Sequence, residues 1–125
     1  MILGIGTDIL SISRALDVFG AGDSFIRSVY TENEQQQAKK RNHPHLYYAT
    51  RFAGKEAVFK CFGITGTQIK PSDIEILEEE HGKPIVYLHN FALSIAKQKG
   101  ITKIEVSLSY ETQYVAAFAV AHDGC

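Results

Sequence analysis

The chain has no tryptophan, one methionine, three prolines and only two cysteines. Cys61 and Cys125 are too few for a disulfide framework and lack metal-ligand spacing, which excludes a disulfide-stapled scaffold or a zinc module. Cys61 reads as a small buried hydrophobe and Cys125 as an exposed thiol at a frayed end. An excess of one charge is also missing, since 13 Lys and Arg stand against 14 Asp and Glu. That balance argues against a nucleic-acid partner bound through phosphate neutralisation. No apolar run reaches the length of a membrane span. The N-terminus carries Asp8 in its first apolar stretch and lacks the charged start of a signal peptide. A cytoplasmic protein without a membrane partner is expected, with one domain over residues 1–125. Repeats and low-complexity segments are absent too.

What is present centres on Arg51-Phe52-Ala53-Gly54-Lys55-Glu56-Ala57-Val58-Phe59-Lys60. No proline interrupts this stretch, and the Tyr and Ala residues before it also suit a helix. At about 100° per residue, Leu46, Ala49, Ala53 and Ala57 fall in one arc roughly 80° wide. Lys60 lies inside that arc and Glu56 at its border, although a helix keeps charges off its core stripe. Arg51 and Lys55 follow one another a turn apart on a neighbouring face, where like charges repel. A metal held by Glu56 and an anion held by the three cations would account for the pattern. The plain alternative is a surface helix with a Glu56–Lys60 pair worth a few tenths of a kcal/mol.

Residues 2–9 read as a strand with Leu3, Ile5, Thr7 and Ile9 on one face and Ile2, Gly4, Gly6 and Asp8 on the other. The glycines clear space beside a lone carboxylate. A short helix over 11–19 follows, with Ser11 or Ser13 as its cap and Arg14 and Asp17 exposed. Gly20-Ala21-Gly22 ends it, and Phe25, Ile26, Val29 and Tyr30 suggest a further helical turn carrying Arg27. Thr31-Glu32-Asn33-Glu34 is a capping box opening a polar helix through Lys40. His43-Pro44 marks the break before the central helix, which should end near Gly63. Ile74 and Ile76 form a short strand, Glu78 to Lys83 an exposed acidic turn, and Ile85 to Leu88 the returning partner. Asn90 caps a helix through Lys99. Ile104, Val106, Leu108 and Tyr110 alternate with polar residues, and 114–121 is apolar on both faces, as a central strand is. Strand, helices, hairpin, helix, hairpin is an α+β order.

Asp8 and Glu56 are the acids set among small or apolar neighbours. Two converging carboxylates raise each other's pKa unless a cation lies between them. Mg²⁺ takes one or two carboxylates and completes its octahedron with waters and substrate phosphate. Arg51, Lys55 and Lys60 would contact that phosphate. A buried Asp8 paired with Arg51 or capping a helix is the structural alternative. The five histidines have no ligand spacing and read as surface residues. Ser107 and Ser109 lack a nucleophile elbow. The residues alone support a small Mg²⁺-dependent domain that handles a phosphorylated ligand.

These motifs resemble the holo-acyl-carrier-protein synthases, small 4′-phosphopantetheinyl transferases. The resemblance runs nearly the full length, through Gly4-Ile5-Gly6-Thr7-Asp8-Ile9, Thr31-Glu32-Asn33-Glu34, the Arg51–Lys60 stretch, Asp73-Ile74-Glu75-Ile76, Gly82-Lys83-Pro84 and Val106-Ser107-Leu108-Ser109. It implies the phosphopantetheinyl transferase fold, with antiparallel sheet packed on helices. It implies transfer of 4′-phosphopantetheine from coenzyme A to a serine of an acyl carrier protein, of fatty-acid or polyketide type, with release of 3′,5′-ADP. By motif, Asp8 and Glu56 hold Mg²⁺, and Asp8, Glu56 and Lys60 are catalytic. Arg51, Lys60, Gly63, Gly66, Pro84 and Tyr110 bind coenzyme A, and Arg14 and Arg27 dock the carrier. A homotrimer is also implied. Two features depart from the family pattern. Tyr110 and Glu111 replace a histidine and a small hydroxyl residue, and the first helical region is less basic. The alternative they raise is a catalytically impaired paralogue that binds coenzyme A and the carrier.

Overall fold

The computed structural model describes residues 1–20, 22–66 and 68–124. The expectations for Ala21 and Cys125 lie outside them. In chain order the elements are β1 (Ile2–Ser11), α1 (Ile12–Phe19), α2 (Asp23–Val29), α3 (Glu32–Lys39), α4 (Pro44–Cys61), β2 (Ile74–Glu78), β3 (Pro84–Leu88), α5 (Asn90–Gln98), β4 (Lys103–Tyr110) and β5 (Tyr114–His122). A single 3₁₀ turn at Pro71–Asp73 precedes β2. Among the described residues, an antiparallel sheet in the order β1-β5-β4 and a separate β2-β3 hairpin make up the β content. The architecture is α+β, as expected.

Helix α4 is the axis of the core. Ala49, Ala53, Ala57 and Val58 are at most 1 % exposed, and α4 packs chiefly on β1 and β5 and also contacts β4 and β2. Small residues bring the backbones close. A Cβ at Gly4 would stand 2.0 Å from the Cys61 carbonyl oxygen, and one at Gly6 would stand 1.9 Å from that of Ala57. The two glycines therefore admit the helix itself. The space they clear beside Asp8 is filled by the last two turns of α4. Gly54 admits side chains of β2 and β4, since an added Cβ would lie 2.6 Å from Ile76 Cδ1 and 3.1 Å from Leu108 Cδ2.

Strand β5 is central, but its two faces differ. Val115, Ala117, Ala119 and Ala121 are buried against α4, whereas Phe118 is 47 % exposed. On that outer face Thr7 pairs with Phe118, Ile5 with Val120 and Ile9 with Ala116. Ile5 and Ile9 are 61 % and 69 % exposed, so the sheet presents an apolar surface to solvent.

Of the expected starts of α1, α3 and α5, that of α3 is closed by its side-chain cap. The capping box forms: Thr31 Oγ1 accepts from the Glu34 amide and Glu34 Oε1 accepts from the Thr31 amide. Ser11 stands at the N-cap of α1 without a side-chain cap bond, its hydroxyl paired with that of Ser13. Asn90 is the first residue of α5 and His89 its N-cap. The Asn90 side chain instead donates to Asp73 Oδ1, 3.1 Å away.

Candidate functional site

Because β1 and α4 approach so closely, the last turns of the helix deliver Glu56 and Lys60 to the strand that bears Asp8. Lys60 Nζ donates to the Thr7 carbonyl at 2.8 Å and lies 3.4 Å from Asp8 Oδ1. Asp8 thus pairs with Lys60 and not with Arg51. Lys60 is half-exposed, at 52 % for its side chain. Burial and the nearby Asp8 charge raise the Glu56 carboxyl above the ordinary carboxylate range, with Lys60 opposing. Glu56 is thus a carboxylate that feels the Asp8 charge and is held beside one amine. Among the described residues no group of three or more His, Cys, Asp or Glu stands ready to hold a metal. Two carboxylates nevertheless fit a hard divalent ion that takes its other oxygens from water and a ligand.

The three cations of α4 do not share a site. Lys55 is 2 % exposed, and its ammonium donates to Glu34 Oε1 at 2.8 Å, to the Pro71 carbonyl at 3.0 Å and to the Ile74 carbonyl. All three donors are used, so nothing remains for a phosphate. Burial pushes the Lys55 pKa down, and the Glu34 carboxylate opposes that shift. Glu34, expected on a polar helix, is fully buried and also accepts from the Ile76 amide at 2.8 Å. Arg51 and Lys60 are nine residues apart, about 180° around a helix of 3.6 residues per turn. They face opposite sides of α4.

Arg51 opens into a different cleft, of about 500 Å³, whose wall also includes Arg41, Tyr47, Glu78, Pro84 and Tyr110. Its guanidinium lies 4.0 Å above the Tyr47 ring and donates to Thr50 Oγ1 at 3.1 Å. Arg51 is 6 % exposed and its Nε has no partner. Burial lowers its pKa, with the Tyr47 phenol opposing. Three expected ligand-binding residues, Arg51, Pro84 and Tyr110, are thereby brought together. Gly66 lies elsewhere, with Glu56, Phe59 and Ile69 around a hollow of about 370 Å³. Gly63 follows α4 with φ 63° and its amide on the Lys60 carbonyl. Within one chain, therefore, the expected coenzyme A residues divide between two places.

Glu111 turns its carboxylate toward the β4–β5 turn, where Oε1 accepts from the Gln113 amide at 3.1 Å. It is not among the residues lining the Arg51 cleft. Arg14 and Arg27 are exposed on α1 and α2, two helices in contact. Two features escaped the sequence. His89 Nε2 lies 3.1 Å from Oε1 of the buried Glu75, whose other oxygen takes the Thr31 hydroxyl. Burial raises the Glu75 pKa, but hydrogen bonds from Thr31 and His89 outweigh it and the net shift is downward. Glu78 is not a solvated turn residue; it ends β2 and enters the arginine cleft. Period two provides a signal for it, since Glu78 shares a face with Ile74 and Ile76.

A carboxylate pair with an adjoining amine, and arginines in a separate cleft, are groups suited to a phosphorylated ligand. The family model of the 4′-phosphopantetheinyl transferase superfamily matches residues 4–119, and the chain belongs to that superfamily of transferases. Its full-length relatives are holo-[acyl-carrier-protein] synthases. The one from Natranaerobius thermophilus is 37 % identical over 121 residues, covering 96 % of this chain and 97 % of the relative. The solved Neisseria meningitidis enzyme superposes with a TM-score of 0.87 at 36 % identity, covering 98 % and 99 % of the two chains. The Bacillus anthracis enzyme, solved in complex with CoA (3′,5′-ADP), gives 0.79 at 30 % identity over 97 % and 96 %.

Proposed function

We propose that this enzyme transfers 4′-phosphopantetheine from coenzyme A to a serine of an apo acyl carrier protein, with Mg²⁺ as cofactor. The observation that carries the reading is the Asp8–Glu56–Lys60 group on closely packed β1 and α4, in a full-length relative of the synthases. The serine oxygen bonds to the phosphorus of phosphopantetheine as the pyrophosphate P–O bond breaks, and 3′,5′-ADP leaves. Glu56, its carboxyl raised by burial and by Asp8, takes the serine proton. Asp8 and Glu56 would hold Mg²⁺, which when bound neutralises charge developing on the departing phosphate of 3′,5′-ADP. Lys60 adds a cation beside Asp8 for a phosphate oxygen. Arg14 and Arg27 dock the acidic carrier, which is of fatty-acid or polyketide type.

Arg51 and Lys60 reach one coenzyme A only if they come from two copies of the chain, because they face opposite sides of α4. The apolar outer face of β1 and β5 offers a surface on which copies associate, and a homotrimer is the expected assembly. Light scattering at micromolar concentration should give three chain masses; a monomer would remove this part of the reading. Activity is tested by incubating apo carrier proteins with coenzyme A and Mg²⁺. Mass spectrometry should show the gain of one phosphopantetheine group. Coenzyme A binding without modification of any carrier would point instead to the impaired paralogue.

A further inference from the structure

The arginine cleft contains its own anion. Glu78 pairs with Arg41 through Oε2, and its Oε1 lies 3.9 Å from Arg51. Both guanidinium groups also lie over the Tyr47 ring, at 5.2 Å and 4.0 Å. The carboxylate is held in place from behind. Gln37 of α3 accepts from the Glu78 amide at 3.0 Å and donates to its carbonyl at 3.1 Å, while Gln37 Oε1 also takes the Tyr47 hydroxyl at 2.8 Å. The backbone of Glu78 is thus pinned where its side chain meets both arginines, and that side chain is only 20 % exposed.

Resting on the reading of this cleft as part of the coenzyme A site, the phosphate that belongs here follows by elimination. The pyrophosphate whose bond breaks must lie at Asp8, Glu56 and Lys60. The phosphate left for Arg41 and Arg51 is the 3′-phosphomonoester. We propose that Glu78 is a specificity-determining residue, an internal counter-anion that competes with the 3′-phosphate for Arg41 and Arg51. Binding the phosphorylated donor requires the carboxylate to give up its partners. The 3′-dephospho form leaves the ion pairs intact. Discrimination between the two donors is therefore weaker in this chain than its two cleft arginines alone would produce.

The test uses the full-length protein, with calorimetric titration of coenzyme A and of 3′-dephospho-coenzyme A at fixed ionic strength. Glu78→Gln should tighten coenzyme A about tenfold, the scale of one released charge contact, and change the dephospho form less than about twofold. Glu78→Ala, which also keeps the Gln37 bonds to the backbone, should behave alike and guards against a poorly folded glutamine variant. The preference for coenzyme A should become more sensitive to added salt in both variants. Tightening of both donors equally, or of neither, overturns the role of Glu78 while leaving coenzyme A binding established. Failure of all three proteins to bind either donor overturns the reading of the site together with the inference.

Discussion

In Glu56→Gln, phosphopantetheine transfer should fall about 10³-fold, the scale of a lost general base, while the fold is kept. Glutamine preserves the size of the side chain and removes its charge. The same substitution has a second consequence, with the opposite sign, in the free protein. Because the folded-state pKa of Glu56 is raised, its ionised form opposes folding above that pKa, and this cost disappears as pH falls through it. At neutral pH without metal the variant should therefore melt no lower than the wild type. Wild-type stability relative to the variant should improve as the pH is lowered. Added Mg²⁺ should raise the melting temperature of the wild type and not that of the variant. The rate should lose its basic form at a pH above the ordinary carboxylate range. Thermal melts across pH, with and without Mg²⁺, and carrier modification followed by mass spectrometry measure these effects. Wild-type transfer by Glu56→Gln would rule out its role.

Lys55→Met should destabilise the protein by about 3–5 kcal/mol, the cost of leaving a buried charge without its partner. The methionine fills the same space, but Glu34 keeps only backbone amides as donors, and the Pro71 and Ile74 carbonyls lose theirs. Adding Glu34→Gln should recover part of the loss, since a neutral amide costs less to bury than an unpaired carboxylate. Urea unfolding followed by circular dichroism measures both. A loss below about 1 kcal/mol, accompanied by weaker coenzyme A binding, would return Lys55 to the ligand site and contradict the buried pair. The expected pattern is lower stability with coenzyme A affinity unchanged in the folded fraction.

These two residues show how far linear patterns reach. The arc of Leu46, Ala49, Ala53 and Ala57 located the core stripe of α4, and Lys60 within it marked a cation turned toward other structure. The same wheel places Arg51 and Lys55 beside each other, and their repulsion suggests an external anion. In the fold each meets an internal acid, Glu34 for Lys55 and Glu78 for Arg51, and of the two only Arg51 lines the arginine cleft. Neither acid is near them in sequence: Glu34 lies 21 residues before Lys55, and Glu78 lies 27 after Arg51.

Sequence by itself determined the α+β order, the capping box, the central helix, the central place of β5 and the candidacy of Asp8, Glu56 and Lys60. Each of these rests on periodicity, turn chemistry or a local motif, which neighbouring residues encode. Only the tertiary structure decided which charges meet. It showed that Gly4 and Gly6 admit the α4 backbone, that Lys55 is consumed by Glu34, and that Arg51 shares a cleft with Arg41 and Glu78. The reason is physical. Ion pairing and burial depend on distances between elements remote in the chain, and those distances are set by how closely the backbones can pack.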